Sequence, residues 1–209
     1  MIRSLLLAAA ATAFSLAACN KPNRAGNTAE ATNTTMAAGP GQTGPVNQAQ
    51  DATAAAVGAT SAAMLGAHDT GAFVDNRVQG NTYEIQAAKI AQQKATSPDV
   101  KAFAKMMVID HTALGNEAQP VIAKSGKTPP TDLDQRRQGL LDNLRAAGSA
   151  DFDKVYISQQ VAAHKETLTL LNGYAQNGND AGLKELATKA APKVQGHLDK
   201  AQTLQTKLG

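Results

Sequence analysis

Apolar residues recur every three or four positions throughout residues 70–208, which is the spacing of amphipathic helices. The spacing predicts four long helices, over about 71–95, 97–124, 150–176 and 181–208, and a shorter one over 131–147. No run in this stretch alternates apolar and polar residues as a half-buried strand would. We therefore predict an all-α fold, an antiparallel four-helix bundle whose two hairpins are joined through the short helix.

The second long helix begins with a set of residues typical of helix starts. Ser97 is suited to cap it, Pro98 to occupy its first turn, and Asp99 to interact with its positive end. Two further prolines lie inside predicted helices. Pro120 is expected to kink or shorten the end of the second helix, and Pro192 is expected to bend the fourth.

The beginning of the chain has the pattern of an export signal. Arg3 precedes an apolar run that ends in Leu16-Ala17-Ala18-Cys19, where small residues stand before a cleavage position. This ending resembles the lipobox of bacterial lipoproteins, in which the cysteine becomes the first mature residue and carries lipid. The resemblance implies that Cys19 anchors the protein to a membrane on its periplasmic side, and Asn20 favours the outer membrane. An ordinary secretory signal that happens to contain a cysteine is the alternative.

Residues 19–68 differ in composition from the rest of the chain. They are rich in Ala, Thr, Asn, Gln, Gly and Pro, and they contain no aromatic residue. Such a segment cannot bury enough apolar surface to offset its ordering entropy, so we predict a disordered tether. The predicted organisation is a signal peptide over 1–18, the lipidated cysteine and tether over 19–68, and a helical domain over 69–209.

Charge and hydropathy limit the partners that we expect. Removal of the signal peptide leaves 19 of the 20 basic residues against 17 acidic ones, a balance too small and too mixed for a nucleic-acid-binding surface. No later apolar stretch approaches the roughly 20 residues that cross a bilayer. The expected partners are a membrane, through the lipid, and another envelope protein. The sequence indicates no oligomeric state.

Three of the four histidines lie on the apolar faces of three different predicted helices. His111, His164 and His197 each fall near the middle of their helix, and Glu84 lies close to the apolar face of the first helix. A buried imidazole or carboxylate costs several kcal/mol unless it is bonded, paired or bound to a metal. These four residues are therefore candidate ligands of one divalent transition-metal ion, with Zn, Fe or Cu as the cofactor.

Neighbouring polar residues leave other interpretations open. Asn81, Asp110 and Gln160 lie beside the candidate ligands and form a predicted supporting layer. In one alternative, all these residues satisfy one another as a structural polar layer that sets the helix register. A small-ligand pocket is another alternative. No catalytic residue is assigned, because the sequence lacks a nucleophile elbow, a phosphate-binding loop and a zincin helix.

Several short motifs resemble those of a known family. They are Phe73-Val74-Asp75, Gln79-Gly80-Asn81-Thr82-Tyr83-Glu84, Thr96-Ser97-Pro98-Asp99-Val100-Lys101, Asp110-His111-Thr112, Asp151-Phe152-Asp153 and Ala163-His164. They look like the bacterial envelope family catalogued as domain of unknown function 4142, over roughly residues 70–206. The resemblance implies a ferritin-like fold. Ferritin-like di-iron enzymes carry Glu-x-x-His on two helices, but Val108 and Val194 occupy the glutamate positions here, so a di-iron centre is not expected.

Three functions remain open from the sequence. The first is a lipid-anchored binding or structural module of the envelope without enzymatic activity, tied to envelope stress or metal handling. The second is a mononuclear metal-binding protein or enzyme that uses Glu84 and the three histidines. The third is a helical domain whose exposed faces dock another envelope protein.

Overall fold

The computed structural model describes residues 66–209, and this part of the chain has five helices and no strand. In chain order they are α1 (Thr70–Lys94), α2 (Pro98–Lys124), α3 (Gln135–Ala146), α4 (Phe152–Asn177) and α5 (Ala181–Leu208). The predicted all-α class is confirmed, and each predicted helix has a counterpart close to its expected bounds. The signal peptide, Cys19 and residues 20–65 of the predicted tether lie outside the described residues.

Side-chain caps explain where four of the helices begin. Ser97 accepts a hydrogen bond from a backbone N–H in the first turn of α2, and Pro98 occupies the first position, as predicted. The other capping residues are Asp69, Asp134 and Asp180. Because Asp134 is the cap of α3, that helix begins four residues later than the apolar pattern predicts.

Neither proline inside a helix ends it. α2 continues past Pro120 to Lys124, and α5 continues past Pro192 to Leu208. Both prolines are exposed, so water can reach the carbonyl group that each missing N–H leaves unpaired. The second long helix is therefore not shortened at Pro120.

The four long helices share one apolar core. α1 packs against α2 and α4 against α5, while α1 also contacts α4 and α2 contacts α5. The short α3 packs on α1 and α4. Aromatic rings join distant parts of the core, since Phe73 stacks on Tyr174 with ring centroids 3.9 Å apart. Within residues 66–209, no helix combines the length and the apolar character that a membrane crossing requires.

Buried charged groups hold the helix ends in place. Asp153, at the start of α4, accepts hydrogen bonds of 2.8–3.2 Å from the backbone N–H groups of Thr96 and Ser97, between α1 and α2. Arg137 of α3 donates to Glu166 of α4 at 3.0 Å. These contacts join segments that are far apart in sequence, and they fix the depth at which the long helices meet.

The first described residues lie against the helical domain. Gly66 is buried, and a Cβ atom at this position would collide with the side chain of Leu170 in α4. The backbone carbonyl of His68 accepts a hydrogen bond from the side chain of Asn179 at 3.3 Å. Residues 66–68, which the composition assigns to the tether, thus contact α4 and the turn before α5.

Candidate metal centre

The three histidines on the apolar faces meet in the core. His111 of α2, His164 of α4 and His197 of α5 are each at most 3% exposed. Their ring centroids form a nearly equilateral triangle with sides of 5.3, 5.5 and 5.7 Å. One ring nitrogen from each histidine lies within 4.8 Å of the other two. Three residues that span 86 positions of the sequence, from His111 to His197, thus converge in the core.

The triangle has the dimensions of a three-histidine metal site. Imidazole nitrogens bind zinc at 2.0–2.1 Å, and three rings that share one tetrahedral ion hold their centroids about 5 Å apart. The observed centroid separations exceed this value by only a few tenths of an ångström. To bind one ion, the rings would have to bring their nitrogens closer together than the present limit of 4.8 Å.

Hydrogen bonds fix which nitrogen of two of these rings is free. Nδ1 of His111 donates to the side-chain oxygen of Asn81 at 3.0 Å. Nδ1 of His164 donates to the backbone carbonyl of Gln160, one turn earlier in α4, at 2.7 Å. Each of these acceptors holds the proton on Nδ1, so the lone pair is on Nε2.

A carboxylate orients the third ring. Nε2 of His197 donates to Oδ2 of Asp110 at 2.9 Å, and Lys193 contacts the other oxygen at 3.2 Å. Burial acts to raise the pKa of Asp110, but the hydrogen bonds from His197 and Lys193 outweigh it and lower that pKa below its ordinary value. Asp110 is therefore an ionised acceptor, and the lone pair of His197 is on Nδ1.

The remaining ring nitrogens are buried and unsatisfied. Nε2 of His111, Nε2 of His164 and Nδ1 of His197 have no hydrogen-bond partner within residues 66–209. All three are acceptors, so none can satisfy another. Buried polar atoms are normally paired, which makes three unpaired acceptors in one cluster a feature that needs an explanation.

Burial keeps the three imidazoles neutral. It lowers the pKa of His111 well below its ordinary range, and the neighbouring His164 and His197 add to this effect. Burial also lowers the pKa of His164 to about 4, although the hydrogen bond to Gln160 opposes it. The pKa of His197 is likewise lowered by burial, against the influence of Asp110. Neutral imidazole is the form that binds a metal ion.

Glu84 lies beside the histidines but outside the group of mutually close ligand atoms. Its Oε1 is 3.6 Å from Nδ1 of His164, the nitrogen that already donates to Gln160. Burial raises the pKa of Glu84 to about 8, an effect that Gln160 opposes. Both carboxyl oxygens are buried. Glu84 would have to move towards the free nitrogens to become a fourth ligand.

All three residues of the predicted supporting layer contact or adjoin the cluster. Asn81 and Asp110 orient His111 and His197 through their side chains, whereas Gln160 orients His164 through its backbone carbonyl. The side-chain amide of Gln160 is buried and acts to lower the pKa of Glu84.

Two buried polar residues near the site were not predicted. Arg77 is 4% exposed, and the buried hydroxyl of Tyr156 has no hydrogen-bond partner between residues 66 and 209. Helical spacing could have indicated both, because Arg77 stands one turn before Asn81 on α1 and Tyr156 stands one turn before Gln160 on α4.

Comparison with known families places the chain. The sequence profile of one family, described as domain of unknown function DUF4142, matches residues 52–204. The chain belongs to the DUF4142 family. The DUF4142 match spans α1 to α4 and most of α5, and it therefore includes all the histidines of the cluster. No curated protein and no solved structure gives a significant match to this chain.

Proposed function

We propose that this DUF4142 protein binds one divalent transition-metal ion through His111, His164 and His197. The observation that carries the proposal is the convergence of three buried histidines, each of which has one ring nitrogen without a hydrogen-bond partner among residues 66–209. Each belongs to a ring whose other nitrogen is held by a defined acceptor, as is usual for metal-binding histidines.

The arrangement argues for a metal site over a structural polar layer. In a structural layer the polar groups would satisfy one another, whereas here the three free ring nitrogens have no donor within hydrogen-bonding distance among residues 66–209. Protonation of one ring could supply a donor, but burial lowers the pKa of all three. A cation with open coordination positions resolves both problems at once.

The donor set suits zinc, iron or copper. Imidazole is a ligand that all three metals accept, and three histidines leave at least one coordination position open. Glu84 is the nearest carboxyl group to His164, so it is the candidate for a fourth ligand after a small movement. In such a site a bound metal supplies Lewis acidity or redox chemistry, and the chain contributes fixed neutral imidazoles in a dry environment.

Metal content and matched histidine variants test the proposal. After incubation with Zn²⁺, Fe²⁺ or Cu²⁺ and removal of excess, we expect the purified protein to hold about one ion per chain by mass spectrometry of the elements. His111→Ala, His164→Ala and His197→Ala should each lose most of the bound ion while keeping a helical circular dichroism spectrum. His68→Ala is the control, because His68 is exposed and should not affect metal content.

Two outcomes would refute metal binding. One is a wild-type protein that retains none of the three metals. The other is the same metal content in the histidine variants as in the wild type, which would place the ion elsewhere.

We further propose that the four long helices form an antiparallel four-helix bundle of the ferritin-like type, held at the outer membrane by lipid on Cys19. The pairing of α1 with α2 and of α4 with α5 supports the bundle. The run Leu16-Ala17-Ala18-Cys19 supports the attachment of lipid to Cys19.

In a detergent phase-separation experiment on cells, the wild type should enter the detergent phase and Cys19→Ser the aqueous phase. Equal partitioning of the two proteins would contradict the anchor.

A further inference from the structure

A second site lies between α1 and α2, next to the histidine cluster but separate from it. A cavity of about 680 Å³ opens between the two helices and the segment that follows α2. Arg77, Val78 and Asn81 line it from α1, and Gly115, Ala118 and Ile122 line it from α2. None of the three histidines is among its lining residues.

The guanidinium of Arg77 is a buried cation that forms no salt bridge with a described residue. Only 4% of the residue is exposed, and no carboxylate oxygen comes within 4.0 Å of it among residues 66–209. Its one hydrogen bond runs from Nη2 to the backbone carbonyl of Leu114 at 3.4 Å, and Nε is buried without a partner. Burial lowers the pKa of Arg77 to about 10, although Glu117 opposes this, so the side chain is still charged at neutral pH.

Such an arrangement is costly unless something compensates the charge. A buried ion without a partner destabilises a fold by several kcal/mol, and arginine presents its N–H groups in a planar fork that matches a carboxylate. Glu117 acts on Arg77 only from beyond salt-bridge distance, so an anionic ligand in the cavity is the simplest source of close compensation.

A second donor is held at the same cavity. The amide nitrogen of Asn81 occupies space that only a glycine at position 115 leaves open, because a Cβ atom on Gly115 would lie 2.9 Å from it. The side-chain oxygen of Asn81 already accepts from His111, so the amide nitrogen is the end left for a ligand. Thr82 adds a hydroxyl group to the lining.

The rest of the wall has an apolar part and a polar part. Val78, Ile85, Ala118 and Ile122 belong to the apolar part, whereas the polar part includes Thr112, Asn116, Gln119, Thr128 and the cation Lys127. A compact, highly hydrated anion would leave the apolar part without a ligand contact. A small organic acid has one anionic end for Arg77 and an apolar body for these side chains.

We propose that the cavity between α1 and α2 binds a monocarboxylate with an apolar body, with its carboxylate at Arg77 and Asn81. The cavity shares Asn81 with the proposed metal centre but contains none of its ligands, so it can be tested in metal-free protein. Hexanoate is the probe, hexanol is the uncharged probe of the same length, and inorganic phosphate represents a compact anion.

The test is a nuclear magnetic resonance titration of the purified full-length protein after treatment with a chelator. We expect hexanoate to bind with a Kd of about 1 mM or lower, and to shift the Nε–H resonance of Arg77 and the backbone amides of Val78 and Ile122. Hexanol and phosphate should each bind at least about tenfold more weakly, because each lacks one of the two features that the cavity recognises.

Substitutions test whether Arg77 supplies the positive charge that binds hexanoate. Arg77→Met keeps a long apolar stem, and we expect it to weaken hexanoate binding at least about tenfold. Arg145→Met is the matched control, since Arg145 is exposed on α3 and does not line the cavity. The resonance shifts of the wild type decide the location even if Arg77→Met fails to fold.

Several results would overturn the proposal. They are an absence of hexanoate binding to the wild type at about 10 mM, tighter binding of phosphate than of hexanoate, and resonance shifts confined to residues outside the cavity. Unchanged affinity in a folded Arg77→Met protein would do the same.

Discussion

At the scale of single residues, burial decides the protonation state of the groups around the cluster. Glu84 and His164 are both at most 2% exposed, so water stabilises neither charged form. The pKa of the acid is raised to about 8 and that of the base is lowered to about 4. Both groups are therefore neutral near pH 7 in the metal-free protein, and the folded state depends on their remaining so.

The first prediction concerns the pH dependence of stability in metal-free protein. The Glu84 carboxyl stays protonated up to about pH 8 in the folded state, but an unfolded chain releases that proton near its ordinary value of 4.5. Stability should therefore fall as the pH rises from 4.5 to 8. Glu84→Gln removes this contribution, so the advantage of the wild type over the variant in urea midpoint should shrink as the pH rises through that window.

His164 acts in the opposite direction in the same protein. Its folded-state pKa of about 4 lies below the ordinary 6.5, so stability should fall as the pH drops through that interval. This contribution is common to the wild type and Glu84→Gln, and it cancels when the two are compared. Glu185→Gln, at an exposed position, is the control. A constant difference between the wild type and Glu84→Gln at all pH values would contradict the prediction.

The second prediction concerns the acceptors that orient the rings. Asp110→Ala leaves all three histidines in place but removes the acceptor of His197. We expect the affinity for Zn²⁺ to fall about 10- to 100-fold, as is usual when such a partner is lost. Competition with a chromophoric chelator measures the affinity. Asp99→Ala changes an exposed residue on the same helix and should bind Zn²⁺ as tightly as the wild type does. If Asp110→Ala also bound Zn²⁺ as tightly as the wild type, Asp110 would have no orienting role.

At the scale of helices, local sequence decides where a helix begins. The contacts between helices depend on residues that are far apart in the chain. Ser97 and Pro98 are recognisable as a helix start from their order in the chain. By contrast, the partner that holds this turn in place is Asp153, more than fifty residues later. Its sequence neighbours give no reason to single it out over Asp151.

These two aspartates provide the third prediction. Asp153→Ala leaves two backbone N–H groups and the hydroxyl of Thr96 without their acceptor, and it should lower the free energy of unfolding by about 2–3 kcal/mol. Asp151→Ala should change it by less than about 0.5 kcal/mol, because the Asp151 side chain makes no capping hydrogen bond and is exposed. Urea denaturation measures the free energy of unfolding of both variants. Equal effects would show that the hydrogen bonds accepted by Asp153 do not stabilise the fold.

At the scale of the whole molecule, the proposed ion would bridge three helices. α2, α4 and α5 each supply one ligand, so unfolding of any of them destroys the site. Because the unfolded chain cannot offer the same arrangement, metal binding should stabilise the fold.

The fourth prediction follows from that coupling. Free Zn²⁺ at a thousandfold excess over its Kd stabilises a fold by about 4 kcal/mol, which for a chain of this size raises Tm by roughly 10 °C. Thermal unfolding followed by circular dichroism should show this rise for the wild type and for His68→Ala. His164→Ala should show almost none. A similar rise in His164→Ala would mean that zinc stabilises the protein at another place.

The candidate site could be predicted in part. The helical spacing of His111, His164 and His197 placed each one on an apolar face, and their similar depth suggested that they meet. The position of Glu84 was less accessible, since its face and depth do not indicate which atoms it approaches. The distance between the Glu84 carboxyl group and the histidine rings depends on the rotation of α1 about its axis. Core packing decides this rotation.

Sequence alone determined the helical class, the start of α2, and the identity of the polar residues on apolar faces. These properties follow from local spacing and from end signals that act over three or four residues. Only the tertiary structure decided which ring nitrogens are left without partners, and that Arg77 is buried beside a cavity without a salt bridge to any described residue. Both are matters of contact between separate helices, and such contacts depend on packing over the whole core.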